Sequence, residues 1–289
     1  MASLKEVKGR IASVNSTRKI TSAMKMVASS KLHKAQAAIE NMLPYERRLD
    51  HILTDFLSTD MSVDSPFTEN REVKRVAIVV FSSNTSLCGG FNSNVIRQMT
   101  VMLDSYKHLG MENVLLYPVG KKVFDAVKRL GFKAQGDFQE MAGKPSYSEA
   151  ANLASRLMEL FKNKEIDKVE LLYHHFRSTA LQILTQEVYL PIDLKRDKSN
   201  DKKGIIANYI IEPSPEEVLE SLLPKVLRMK IYTVLLDSNA SEHAARTMAM
   251  QVATDNANDL IQDLTIMYNK TRQQAITNEL LDIVGGSMK

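Results

Sequence analysis

The run SLCGGFNSN (residues 86–94) follows an apolar stretch ending at Phe81 and brings together a thiol, two adjacent glycines and two amides. A glycine turn between a strand and a helix is raw material for phosphate binding, because backbone N–H groups at a helix start attract anions. A dinucleotide turn needs G-x-G-x-x-G, and a phosphate loop needs G-x-x-x-x-G-K-[ST]. Neither spacing occurs, and Gly120-Lys121 lacks both the upstream glycine and the Ser/Thr. His174 and His175 are adjacent, so on a strand they point to opposite faces and cannot share a metal. Glu170 is the acid that this stretch adds. Cys88 is the single cysteine, which excludes an internal disulfide and a cysteine-based zinc site. It reads as a small packed residue rather than a nucleophile. On these residues a nucleotide-binding α/β enzyme is the alternative reading, and no catalytic residue, metal or cofactor is expected.

Charge supplies a second kind of chemistry. Residues 1–36 hold Lys5, Lys8, Arg10, Arg18, Lys19, Lys25, Lys31 and Lys34 against Glu6 alone, a net +7. The whole chain carries +4, so the remainder carries about −3. A basic, Ser-rich N-terminus fits a transit peptide, a nucleic-acid arm, a helix seeking an acidic protein surface, or a solvated face. Nucleic acid is disfavoured, because no aromatic precedes Tyr45 and nothing there can stack on a base.

The elements that position these residues follow from periodicity. With 289 residues, 44% hydrophobic and 25% charged, the composition is that of an ordinary globular protein. The longest wholly apolar run, Val76 to Phe81, is far below the ~20 residues that span a bilayer. Residues 1–60 read as one helix, with no glycine after Gly9 and one proline, Pro44. Residues 73–212 contain VKRVAIVVF, NVLLYPVG, DKVELLYHHF and LQILTQEVYL as strands, with amphipathic stretches at 92–109, 120–130 and 148–164 between them. That order predicts βαβ units and a parallel or mixed sheet. The charged run 194–204 is a loop. Residues 213–289 form a second long helix opening at Pro215, Glu216 and Glu217, where proline suits the first position and acids the first turn.

Two heptad stripes suggest that the end helices pair. Leu4, Val7, Ile11 and Val14 form one, which resumes at Ala28, Leu32, Ala35, Ile39 and Met42. Between these the same positions hold Arg18, Thr21 and Lys25, while apolar residues shift to Ile20, Ala23, Met24 and Val27. At about 100° per residue, the second stripe lies over a quarter turn away. The C-terminal helix offers Met250, Ala253, Ala257, Leu260, Leu264 and Met267. Antiparallel pairing with residue numbers adding to about 271 sets Leu4 against Met267, Val7 against Leu264, Ile11 against Leu260 and Val14 against Ala257. The expected fold is therefore α/β plus long helices. An antiparallel coiled coil of the N- and C-terminal helices (1–60 and 213–289) carries an inserted Rossmann-like α/β domain (73–212).

The stretches IASVNSTRKITSAMKMVASSKL and SEHAARTMAMQVATDNANDLIQDLTIMYNKTRQQAITNELLDIVGG resemble the two signatures of the gamma subunit of the rotary F-type ATP synthase. A third family segment, usually Asp-Arg-Gly-Leu-Cys-Gly-Gly, here keeps Leu87, Cys88, Gly89 and Gly90 but has Asn84, Thr85 and Ser86 in place of its charged part. The resemblance implies a central rotor stalk with no catalytic site, coupling proton flow through a membrane ring to ATP synthesis or hydrolysis at the beta subunits. It implies alpha and beta subunits, an epsilon subunit and the membrane c-ring as partners, with no nucleic acid and only indirect membrane contact. It also implies that acidic loops of beta subunits meet the stalk at the level of the broken stripe. The expected rotor–stator residues are Arg18, Met24, Lys25 and Arg246. Because family similarity starts within the first dozen residues, the transit-peptide reading falls. The expected location is the cytoplasmic side of a bacterial inner membrane, held peripherally. Thiol regulation by a cysteine pair is not expected with Cys88 alone.

Overall fold

The computed structural model describes residues 3–58, 65–192 and 214–287. Two long helices dominate. Helix α1 (Leu4–Ser58) runs 55 residues through Pro44. The last helix, α6 (Pro215–Ser287), runs 73 residues through Pro224, about 110 Å at 1.5 Å per residue. Its first residue is Pro215, whose fixed φ and missing N–H cost nothing at a helix start.

Between them lie β1 (Val76–Phe81), α2 (Phe91–Ser105), β2 (Val114–Val119), α3 (Lys121–Arg129), α4 (Gln139–Gly143), α5 (Tyr147–Lys162), β3 (Lys168–Phe176) and β4 (Gln182–Leu190). The sheet order is β2-β1-β3-β4, with β1 parallel to both neighbours and β4 antiparallel to β3. All six residues of β1 are buried, so its sequence shows no alternation, as expected of a central strand covered on both faces. On one face Ala77, Val79 and Phe81 pack with Leu153, Leu157 and Phe161 of α5 and with Leu227, Ile231 and Leu235 of α6. On the other, Ile78 and Val80 pack with Val95 and Met99 of α2 and Val123 and Val127 of α3.

The chain divides into two compact units, Met1–Ser30 with Arg246–Lys289, and Lys31–Ala245. The long helices each contribute to both units, so compactness cuts across the composition-based segments 1–60, 73–212 and 213–289. Inside the larger unit the helices pack through Leu32 and Ala35 with Ala240 and Ala244, and through Leu49 and Leu53 with Leu219, Leu222 and Leu223. The expected loop 194–204 lies outside the described residues.

Candidate functional site

In the smaller unit, the heptad line of α1 does not turn aside. Val7, Thr21 and Ala28 are buried, and Leu4, Ile11, Val14, Arg18 and Lys25 are half-buried at the same spacing. The polar residues thus stay on the seam, and of the apolar residues of the gap Ile20 (60% exposed), Ala23 and Val27 (58%) face outward while Met24 is half-buried. Polar groups on a helix seam need partners, and two have them across the pair. The Thr21 and Thr254 hydroxyls lie 2.9 Å apart, and Arg18 Nη1 donates to Asn258 Oδ1 at 3.3 Å. Each threonine also has a backbone carbonyl of its own helix in reach, Arg18 O at 3.0 Å and Met250 O at 2.7 Å. Two hydroxyl protons therefore serve the cross-helix bond and one back-bond.

These bonds correct the expected register. They oppose residues whose numbers add to 275 and 276, about one turn beyond the expected 271. Val7, Ala257 and Leu264 are buried and Leu4, Ile11 and Val14 half-buried, but Leu260 and Met267 stand 47% and 50% exposed. Their expected places are taken by Ile261 and Tyr268, both half-buried. The reason is the order of the heptad steps. Met250, Ala257 and Leu264 belong to either order, three-then-four or four-then-three. Counting apolar residues favours the first, whereas Thr254 lies only along the second, with Asn258 one turn further on the same flank of the helix.

The four expected contact residues fall in this same unit. Arg18 is engaged with Asn258, Met24 and Lys25 are half-buried on α1, and Arg246 is half-buried on α6. In the observed register Arg246 lies opposite position 29, about one turn from Lys25. Thr254 was missed from sequence because it interrupts the apolar count, and only the other heptad order would have revealed it; Asn258 lies on neither line and shows itself only through Arg18.

In the larger unit, the mouth at the carboxyl ends of the parallel strands is where an open α/β sheet binds ligands. Here the protein's own groups fill it. The three leading N–H groups of α3 are all taken: Lys121 N donates to Asn84 Oδ1 at 2.9 Å, Lys122 N to Ser83 O at 3.2 Å and Val123 N to Ser82 Oγ at 3.1 Å. Asn84 Nδ2 also donates to Gln139 O at 2.7 Å. An aspartate, usual here in the resembled family, would accept from Lys121 but could not donate to Gln139. Gly120 (φ +98°) brings the backbone so close that an added Cβ would lie 2.4 Å from Ser82 O. Cys88 is buried, 3.1 Å from Asn92 Nδ2. Beside this mouth a groove of about 650 Å³ is edged by Asp137, Glu140 and Glu149 against Arg156, a charge balance that repels phosphates.

The histidines separate as the pleat requires. His174 is buried and stacks on Phe91 at 4.4 Å, and burial lowers its pKa to about 4. His175 Nδ1 meets Asp237 Oδ2 of α6 at 2.6 Å, an acid 62 residues away in sequence. Burial raises the Asp237 pKa, against the pull of His175. Glu170 is bound elsewhere, to Lys168 Nζ at 2.6 Å and Tyr106 OH at 2.9 Å. Among the described residues no group of three or more His, Cys, Asp or Glu could hold a metal.

The family model described as ATP synthase matches residues 3–288. A protein of Phocaeicola vulgatus named ATP synthase gamma chain is 77% identical over 288 residues, covering 100% of both chains. One of the same name from Christiangramia forsetii is 44% identical, covering 99% of this chain and 98% of that one. Among solved structures, a chain of the mitochondrial ATP synthase of Euglena gracilis aligns with TM-score 0.65 at 20% identity, covering 99% of this chain and 93% of that one. A chain from the Tetrahymena thermophila mitochondrial ATP synthase central stalk and c-ring aligns with TM-score 0.56 at 22% identity, covering 81% and 99%.

Proposed function

The chain belongs to the ATP synthase gamma-chain family, and on that premise we propose that it works as the central rotor stalk, a non-catalytic shaft coupling proton flow to ATP synthesis and hydrolysis. Each proton crossing the membrane releases about 2.3 kcal/mol per 100 mV, so several must be summed for one ATP. A stiff element that occupies discrete positions can carry that sum between distant sites. Its partners are the alpha and beta subunits, the epsilon subunit and the membrane c-ring. It lies peripherally on the cytoplasmic side of a bacterial plasma membrane, attached through the ring. No described helix is long and apolar enough to cross a membrane.

The observation that carries this reading is the terminal helix pair itself, whose outward side at one level combines exposed Ile20 and Val27 with exposed Lys19. A shaft serving several equivalent neighbours in turn must hold each weakly. Exposed ion pairs contribute only about 0–1 kcal/mol, and flexible Met and Lys side chains adapt to a moving surface. Arg18, Met24, Lys25 and Arg246 are the residues we assign to that contact, Arg18 with its guanidinium shared with Asn258. The occupied α3 N-terminus favours a shaft over a nucleotide enzyme.

The test is Lys25→Glu in the assembled complex. Removing an attraction of up to about 1 kcal/mol and adding a repulsion of similar size changes the contact by up to about 2 kcal/mol. Proton pumping per ATP hydrolysed is expected to fall severalfold while co-purification of alpha, beta and epsilon subunits persists. An unchanged pumping ratio refutes the contact assignment. Failure of those subunits to co-purify with the unaltered chain refutes the stalk.

A further inference from the structure

The seam of the smaller unit holds a choice that hydrophobicity alone would make differently. Along α6, Met250, Ala257 and Leu264 are buried. The line can be completed on one side by Thr254, Ile261 and Tyr268, or on the other by Ala253, Leu260 and Met267. At about 100° per residue, 254 lies some 40° to one side of Met250 and 253 some 60° to the other. The two solutions therefore differ by a roll of α6 of about 50° about its own axis, with no change of helical hydrogen bonding. The observed roll leaves Leu260 and Met267 half exposed and seats a threonine instead.

We propose that the Thr21–Thr254 and Arg18–Asn258 bonds set the roll of α6, making Thr254 and Asn258 positioning residues that hold Leu260 and Met267 on the outside of the shaft. Both bonds lie on the same side of α6, since 254 and 258 are one turn apart and share a face. In the alternative roll that face turns outward. Thr21, which is buried, then loses its cross-helix partner, and Arg18 faces the seam without Asn258. Thr21 then keeps only its back-bond to Arg18 O, and the loss of two cross-helix bonds, one of them from a charged guanidinium, disfavours that packing. Polar residues at seam positions select one geometry among several in coiled coils for the same reason, at the expense of apolar burial. This inference concerns the helix pair alone and stands whether or not the shaft meets a beta subunit at this level.

The experiment uses the full-length chain with Cys88→Ser and single reporter cysteines, Met267→Cys or Tyr268→Cys, leaving Leu260 in place to compete for the seam. The rate of maleimide labelling is measured at each position. In the parent, position 267 is expected to react at least tenfold faster than 268. With Thr254→Ala and Asn258→Ala together, the ratio is expected to approach one or invert, and Thr254→Ser, which keeps the hydroxyl, retains the parent ratio. Should the double variant unfold, Thr21→Ala removes the same bond from the opposite helix and is expected to shift the ratio in the same direction. A ratio unchanged in both the double variant and Thr21→Ala overturns the proposal. So does a Thr254→Ser effect as large as that of the double variant.

Discussion

Replacing Lys168 by methionine tests how the α/β region holds its buried charge. The Glu170 side chain is 4% exposed and that of Lys168 25%, and their charged atoms lie 2.6 Å apart. Tyr106 OH donates to the same Glu170 oxygen at 2.9 Å, and Gln186 Nε2 to the other at 3.3 Å. Lys168→Met keeps the apolar stem but leaves the carboxylate with neutral donors only. Breaking a fully buried pair costs about 3–5 kcal/mol; with a quarter of the lysine in water, about 2–3 kcal/mol is expected. That lowers the folded-to-unfolded ratio by about thirtyfold or more and the melting temperature by roughly 4–10 °C. The pH dependence adds a second reading. Burial pushes the Lys168 pKa down, but its bonds to Glu170 and Tyr106 prevail and the net shift is upward. A cation raised in the folded state stabilises fully below its unfolded pKa and loses that contribution as pH rises through the folded one. The deficit of Lys168→Met is therefore constant near neutrality and shrinks above about pH 10.5. Urea unfolding of the full chain, parent against variant, measures both. Adding Glu170→Leu to Lys168→Met should recover part of the loss, because the stranded charge is gone. A deficit under about 0.5 kcal/mol, or a double variant worse than the single, refutes the reasoning.

His174 gives an acid-side prediction. Burial lowers its pKa to about 4, so its neutral form stabilises above the unfolded value near 6.5, and this contribution is lost as pH falls toward 4. The loss is on the order of 3 kcal/mol. His174→Phe keeps the ring against Phe91, and Nδ1 has no hydrogen-bond partner among the described residues to be stranded. Its stability should change much less between pH 7 and 4.5, and an equal loss in the variant would contradict this account. Gly120→Ala places a Cβ 2.4 Å from Ser82 O at φ +98°, so it should cost more than about 2 kcal/mol and lower the melting temperature by several degrees. A variant as stable as the parent would mean that the backbone there yields.

The sequence alone determined the elements whose signals are local. Four expected runs became four strands: β1, β2 and β3 are largely buried and declare themselves by apolar composition, whereas β4 buries only Tyr189 and Leu190 and shows as a mixed, half-exposed run. Pro215 with its acids marked the start of α6, because helix starts have a chemistry of their own. The pairing of the termini was also readable, since heptads sustained over many turns have few other uses. Which face of α6 meets α1 was not readable. Met250, Ala257 and Leu264 serve two rolls equally, and the deciding groups, Thr254 and Asn258, act through hydrogen bonds that depend on a partner helix more than 230 residues away. Asp237 beside His175 and Asn84 across the mouth of α3 were hidden for the same reason. Hydrophobic burial is carried by residue type and spacing and can be read along one chain. The partner of a polar group is a fact of three-dimensional proximity, and only the tertiary structure decides it.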